Sequence, residues 1–256
     1  MKLIWRQVIL ALCFLLSVPL ALAETAALDK ITPDAGDLAS LQRGFALYSN
    51  YCSGCHQLQY VRYSRVAEDL TIPKSLFAEN LLPKYARIGD QITSTMTKSD
   101  AKAWFGVVPP DLSLAASRHS PDWIYRYLQG FYQDKTRPFG VNNSVSPDSM
   151  MPNVLEHLQG ERELRCEEAA NAFNGKYSIS TLLSDSKCGI VDGIKKGQLT
   201  DQEFKKVAYD IANFLAYTSD PSRSDRESLG LKVLLFIGLF VLFAYLLKRE
   251  FWRDLA

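Results

Sequence analysis

The sequence predicts a mainly α-helical domain with long loops, followed by one C-terminal transmembrane helix. Three observations carry this prediction. Apolar residues recur at helical spacing in several segments, while the strict alternation of a half-buried strand is scarce. Leu229 to Leu247 is a run of nineteen residues with one charge, Lys232, long enough to span a bilayer as a helix. A second, shorter apolar run opens the chain and ends in small residues.

At that opening, Lys2 and Arg6 precede the apolar stretch Val8–Leu20, and Ala21-Leu22-Ala23 offers an A-x-A cleavage site. Residues 1–23 are therefore expected to be a secretory signal peptide, with Cys13 a bystander inside it. The alternative, an uncleaved anchor, asks a short run to span. Export puts residues 24–228 in the periplasm or its equivalent, where disulfides persist. The chain's formal charge is +1, and six of its cations lie outside residues 24–228, so the exported part is mildly acidic. That balance gives no strong pull toward nucleic acid or anionic lipid.

Within the exported part, Leu38, Leu41, Phe45 and Tyr48 share one face of a helix that Asp37 can cap. Short helices are expected near Lys74–Leu82 and Ser99–Phe105. Ser120 followed by Pro121 is a good N-cap with Pro in the first helical position, opening a helix through Trp123, Tyr127 and Leu128. Gln133 to Gly197 is dense in Asn, Ser, Gly and Pro and reads as loop-rich. Thr200-Asp201-Gln202-Glu203 is a capping box. The helix it starts carries Phe204, Val207, Ile211, Phe214 and Leu215 on one face, and Asp220-Pro221 stops it. A short polar linker leads to the anchor, residues 229–247. Lys248, Arg249 and Arg253 then favour a cytoplasmic tail, residues 248–256.

The chemistry concentrates in NYCSGCHQ, where Cys52, Cys55 and His56 form C-x-x-C-H. This is the attachment signal for c-type haem: two thiols at this spacing reach the two vinyl groups, and the adjacent His meets the iron. Two other readings compete. A redox dithiol usually opens a helix after a strand, but here an amphipathic helix precedes the motif. A zinc site needs two more ligands at compatible spacing, and Cys166, Cys188, His119 and His157 all lie more than sixty residues away. Haem is favoured, which makes the domain cytochrome c-like.

A haem electron carrier usually takes a sixth ligand, and a Met thioether raises the potential. Met96 sits in the polar stretch TSTMTKSD; Met150 and Met151 sit in PDSMMPNVL, stiffened by Pro147 and Pro152 and followed by the last exported helix. His119 or His157 could serve instead in a bis-His site. The remaining pair, Cys166 and Cys188, is predicted to form a disulfide; the alternative is two buried free thiols.

These features together closely resemble the cytochrome c1 family, the haem subunit of the cytochrome bc1 complex, in a bacterial form. RGFALYSNYCSGCHQLQYVRY resembles the family's haem-binding start, GVVPPDLSLAASRHSPDWIYRYLQGFY its Pro-Pro-Asp-Leu-Ser segment with a downstream Arg-His, and MPNVLEHLQG its sixth-ligand loop. The single C-terminal anchor completes the pattern. The resemblance implies that Cys52 and Cys55 bind one haem c covalently, that His56 is the proximal ligand and that Pro110 packs near the haem. It implies that Arg118 pairs with a haem propionate. Met-Pro-x-Val-Leu points to Met151 as the sixth ligand, with Met150 as the alternative.

The implied function is one-electron relay from the Rieske iron–sulfur subunit to a soluble periplasmic c-type cytochrome. Cytochrome b would lie beside the anchor in a dimeric complex of the bacterial inner membrane, with no independent catalytic chemistry in this chain and no nucleic acid partner. The other readings are a tethered mono-haem cytochrome serving a different oxidase or dehydrogenase, and a haem-free, disulfide-stapled binding module. One departure stands out: the stretch between Gly160 and Gly197, which holds Cys166 and Cys188, is longer than in mitochondrial members.

Overall fold

The computed structural model describes residues 30–166 and 188–253. The expected signal peptide lies outside the described residues. Helix α1 (Leu38–Tyr51) starts where Asp37 accepts from the Ser40 N–H, and it buries Leu41, Phe45 and Tyr48, three of the residues the spacing selected. The part of the chain ahead of the C-terminal helix closes with α8 (Asp201–Ser219), whose N-terminus has the predicted capping box: Thr200 accepts from the Glu203 N–H, and the Glu203 carboxylate accepts from the Thr200 N–H.

Between them run β1 (Leu58–Arg62), α2 (Tyr63–Asp69), α3 (Lys74–Asn80), β2 (Gln91–Ile92), α4 (Lys98–Phe105), α5 (Ala115–His119), α6 (Pro121–Gln129), β3 (Phe131–Gln133), β4 (Val141–Asn143), α7 (Glu156–Gln159), β5 (Gly160–Cys166) and β6 (Cys188–Lys196). The strands make three antiparallel pairs, β1–β2, β3–β4 and β5–β6. The fold is mainly helical, as expected. The loop-rich stretch Gln133–Gly197 also holds regular structure. It contains strand β4, helix α7 and the β5–β6 ladder, in which Cys166 and Cys188 are backbone partners.

Helices α1 and α8 cross at the centre of the core. Gly44 permits the close approach: a Cβ there would lie 2.2 Å from the Asp210 carbonyl oxygen and 2.6 Å from Phe214 Cβ. Phe45 stacks on Phe77 at 5.3 Å and tilts against Phe214 at 5.5 Å. One polar cluster is buried in the same crossing. The Asp210 carboxylate accepts from Ser40 Oγ (2.6 Å) and from Arg43 Nε (2.6 Å), so the charge is paired before it is desolvated. Asn213 reaches the segment before α1, accepting from the Asp34 N–H and donating to its carbonyl.

Helix α9 (Arg223–Arg253) has thirty-one residues, about 46 Å at 1.5 Å per residue. Within its candidate span, Asp225–Arg253, the most apolar eighteen-residue window has a mean hydropathy of 2.4 and none of that window is buried. The polar linker expected before residue 229 is itself helical from Arg223. Arg223 Nε donates to Glu227 at 2.8 Å, an i,i+4 pair that supports that first turn.

Candidate haem site

Helix α1 delivers the cysteine motif. Cys52 follows its last residue, and the chain then turns back on itself: the N–H groups of Cys55 and His56 both donate to the Cys52 carbonyl, at 3.1 and 2.8 Å. The buried Tyr48 hydroxyl donates to the His56 carbonyl at 2.8 Å and fixes the far side of this turn.

The Pro-Pro-Asp-Leu-Ser segment is the brace. Asp111 accepts from the N–H groups of Gln59 and Ser113, and the Leu112 N–H donates to the Gln57 carbonyl. The Pro110 carbonyl lies 2.8 Å from His56 Nδ1. A carbonyl only accepts, so Nδ1 carries the proton and Nε2 keeps a free lone pair. Burial lowers the His56 pKa, against the Pro110 hydrogen bond and the Asp111 charge, which raise it. The ring is held in the neutral form that ligates metals.

These residues border a cavity of about 330 Å³, within the range of pockets for organic cofactors. Cys52, Cys55, His56 and Pro110 line one wall; Trp123, Tyr127, Met150, Met151 and Pro152 line others, with Ile211 and Leu215 of α8 among the lining. Arg118 and His119 are exposed and also border the cavity. Two thiols and an imidazole with a free nitrogen, facing two thioethers across apolar walls, fit a haem.

The competing readings find no support here. Burial, with Cys55 alongside, pushes the Cys52 thiol up to about 12, and burial raises the Cys55 thiol as well. Such thiols are poor redox nucleophiles. Among the described residues no group of three His, Cys, Asp or Glu is assembled for a metal ion. Met96 is not among the cavity-lining residues. His119, at the cavity edge, stacks on Trp123 at 4.3 Å, and His157, not itself a lining residue, has Nε2 3.3 Å from the hydroxyl of Tyr51, which is one.

The two methionines differ in their surroundings. Met150 Sδ lies 3.7 Å from Arg137 Nη2, and the same guanidinium donates to the Asp148 carboxylate and carbonyl, each at 2.8 Å. The Arg137 contact ties the Met150 sulfur to the loop, whereas among the described residues no hydrogen bond reaches the Met151 sulfur.

Sequence reasoning missed the residues that hold this loop. The fully buried Asn143 accepts from the N–H groups of Val145 and Ser146 and donates to the Tyr127 carbonyl at 2.8 Å. Asn142 accepts from the N–H of Asp148, which has φ +65°. The signal was present in Val-Asn-Asn-Ser, but short polar residues in a loop are ordinary turn formers. The Cys166 and Cys188 side chains lie outside the described residues.

With that geometry in hand, the chain can be compared with known proteins. The Cytochrome C1 family model matches residues 31–87 and 77–255. Cytochrome c1 of Allochromatium vinosum is 45% identical over 97% of this chain and 99% of its own. Cytochrome c1 of Rhodospirillum rubrum is 30% identical over 85% of this chain and 82% of its own. A protein of Nitrosomonas europaea named ammonia monooxygenase gamma subunit is 35% identical over 89% of this chain and 88% of its own. Both the match across nearly the whole described chain and the Cys52–His56 wall with its Pro110 brace lead to one conclusion: the chain belongs to the cytochrome c1 family.

Proposed function

We infer that this chain is the electron-transfer subunit of a cytochrome bc1 complex, a quinol–cytochrome c oxidoreductase, and that it works through one covalently held haem c. The observation that carries this reading is the pairing of a braced C-x-x-C-H turn with a two-methionine loop across one apolar cavity. When bound, the haem supplies a one-electron couple.

The chain's own residues do the rest. Cys52 and Cys55 would tether the macrocycle, and His56, kept neutral and oriented by the Pro110 carbonyl, would hold the iron together with Met151. Arg118 would pair with a propionate, a charge-assisted contact at the cavity edge. The aromatic and aliphatic lining excludes water. No acid, base or nucleophile is required of this chain, because only an electron moves.

The partners in this proposal are cytochrome b beside α9, the Rieske iron–sulfur subunit as donor and a soluble periplasmic c-type cytochrome as acceptor, in a dimeric complex. The domain would face the periplasm after removal of residues 1–23, with the basic end of α9 in the cytoplasm. A Cys166–Cys188 disulfide belongs to the same proposal, supported by their cross-strand register. Closing the intervening loop would stabilise by about 3 kcal/mol on the chain-entropy model. Non-reducing mass mapping tests it: a disulfide-linked peptide is expected, and two alkylatable thiols would refute it.

Purification in mild detergent tests the function. The expected result is a c-type absorption band, co-purification with cytochrome b and a Rieske protein, and quinol-dependent reduction. A c-type cytochrome isolated without those partners would point instead to a tethered carrier for another oxidase.

A further inference from the structure

Tyr127 touches the methionine loop at two points, through two different groups. Its backbone carbonyl accepts from Asn143 Nδ2 at 2.8 Å, at the loop's start. Its hydroxyl lies 2.6 Å from Ser149 Oγ, and Ser149 Oγ also accepts from the Met151 N–H at 3.4 Å. One residue on α6 is therefore linked to both ends of the segment that leads into Met151.

The ring that carries this hydroxyl is itself fixed. Trp123, one helical turn earlier, stacks on it at 4.9 Å and 14°. Phe131, fully buried at the start of β3, meets it edge-on at 5.2 Å and 75°. The ring cannot swing without breaking both contacts, so the hydroxyl is a fixed point against which Ser149 is held. Burial raises the phenol's pKa, against the Ser149 hydrogen bond, which lowers it; the group stays protonated and able to donate.

We propose that Tyr127 is a positioning residue for the sixth ligand: its hydroxyl, acting through Ser149, holds Met151 in the orientation that lets its sulfur reach the iron. This rests on Met151 being that ligand. Tyr127 itself borders the cavity, but its proposed action is through the loop and not by contact with the metal. The reason is preorganisation. A loop that wanders between conformers presents the thioether only part of the time, and the apparent strength of the bond falls by that fraction.

The test is Tyr127→Phe in the haem-loaded protein, read beside Ser149→Ala and the double variant. Tyr127→Phe keeps the ring and both stacking contacts and removes the hydroxyl alone. Three readouts are followed: the Met–iron charge-transfer band against rising pH, the reduction potential, and carbon monoxide binding to the ferrous protein. A loss of one hydrogen bond should make displacement of the methionine about five- to tenfold easier. The band should vanish at lower pH, the potential should fall, and carbon monoxide should bind more readily. Ser149→Ala, which also removes the acceptor of the Met151 N–H, should be at least as severe, and the double variant should be no worse than Ser149→Ala, because Tyr127 acts only through Ser149.

Wild-type behaviour of Tyr127→Phe on all three readouts would overturn the proposal, as would additive effects in the double variant. Met151→Leu is the separate control on the ligand. If that change leaves the band intact, the ligand assignment has failed, whatever Tyr127→Phe does.

Discussion

The two walls of the cavity are built in different ways. The Cys52–His56 wall is local: five residues of chain, closed by backbone bonds to Cys52 and seated on the end of a buried helix. Two long-range contacts reach it, the Pro110 carbonyl to His56 and the Ser94 hydroxyl, which donates to the Gly54 carbonyl at 2.7 Å. The Met150–Met151 wall has no regular structure of its own. It is held from outside by side chains of a hairpin and a helix, namely Asn142, Asn143, Arg137 and Tyr127. The difference is one of rigidity. The first wall is set as soon as α1 folds and the chain turns, whereas the second depends on a network in which each bond is individually modest. Adjustment of the site between related chains should therefore fall on the second wall, where a change loosens a ligand without removing the haem.

His56→Ala breaks the first wall and should have the largest effect. The low-spin spectrum of the reduced protein should be lost completely, or the protein should fail to accumulate; a normal low-spin c-type spectrum would mean that another residue is the proximal ligand. Met151→Leu comes next. The tethered haem should remain, while the potential falls by a substantial part of the roughly 0.8 V range that axial ligands span. Met150→Leu should change the potential far less, since its sulfur is engaged by Arg137. Equal effects of the two changes, read by redox titration, would remove the distinction drawn between them.

The same contrast explains what could be read from the chain in advance. C-x-x-C-H is legible because two thiols and an imidazole within five residues suit one haem; Pro-Pro-Asp-Leu-Ser is legible only through the family resemblance, since His56, Gln57 and Gln59, which it braces, lie more than fifty residues away. The caps at Asp37, Ser120 and Thr200 are legible because each satisfies orphan N–H groups within three residues. Tyr127 was legible only as a residue of the α6 helix. Its bond to Ser149 joins residues twenty-two apart, and nothing in either residue's neighbourhood announces it. Strands β5 and β6 were missed for a related reason. GERELRC and CGIVDGIKK lack a clean period of two, and a long intervening stretch separates them, so the pairing is a tertiary fact. Gly44 shows the same limit: its sequence marks a helix, and only the crossing with α8 explains why no side chain fits.

Asn143→Ala would test how much the second wall owes to one residue. The side chain is fully buried and makes three hydrogen bonds, two accepting and one donating. Losing them leaves partly buried backbone groups without these partners, at about 1 kcal/mol for each bond. The expected outcome is a lower melting temperature together with easier loss of the Met–iron band. A drop in melting temperature with an unchanged band would mean that the hairpin stabilises the fold without governing the ligand.

Thr200→Ala supplies the smallest effect and the control that the others need. Thr200 caps α8 far along the helix from Ile211 and Leu215, which line the cavity. Losing the cap should lower the melting temperature by about 2–4 °C. The change also has a pH signature. The Thr200 N–H and hydroxyl both donate to the Glu203 carboxylate, which holds its pKa below the ordinary value. A carboxylate depressed in the folded state adds stability above its unfolded pKa and loses it as pH falls through the folded one. Thr200→Ala should therefore reduce stability at neutral pH and flatten its fall in acid. The haem spectrum should not move, because Thr200 is not among the cavity-lining residues. If the Met–iron band weakens in this variant as it does in Asn143→Ala, general loss of stability would account for both, and the hairpin's hold on the loop would lose its special standing.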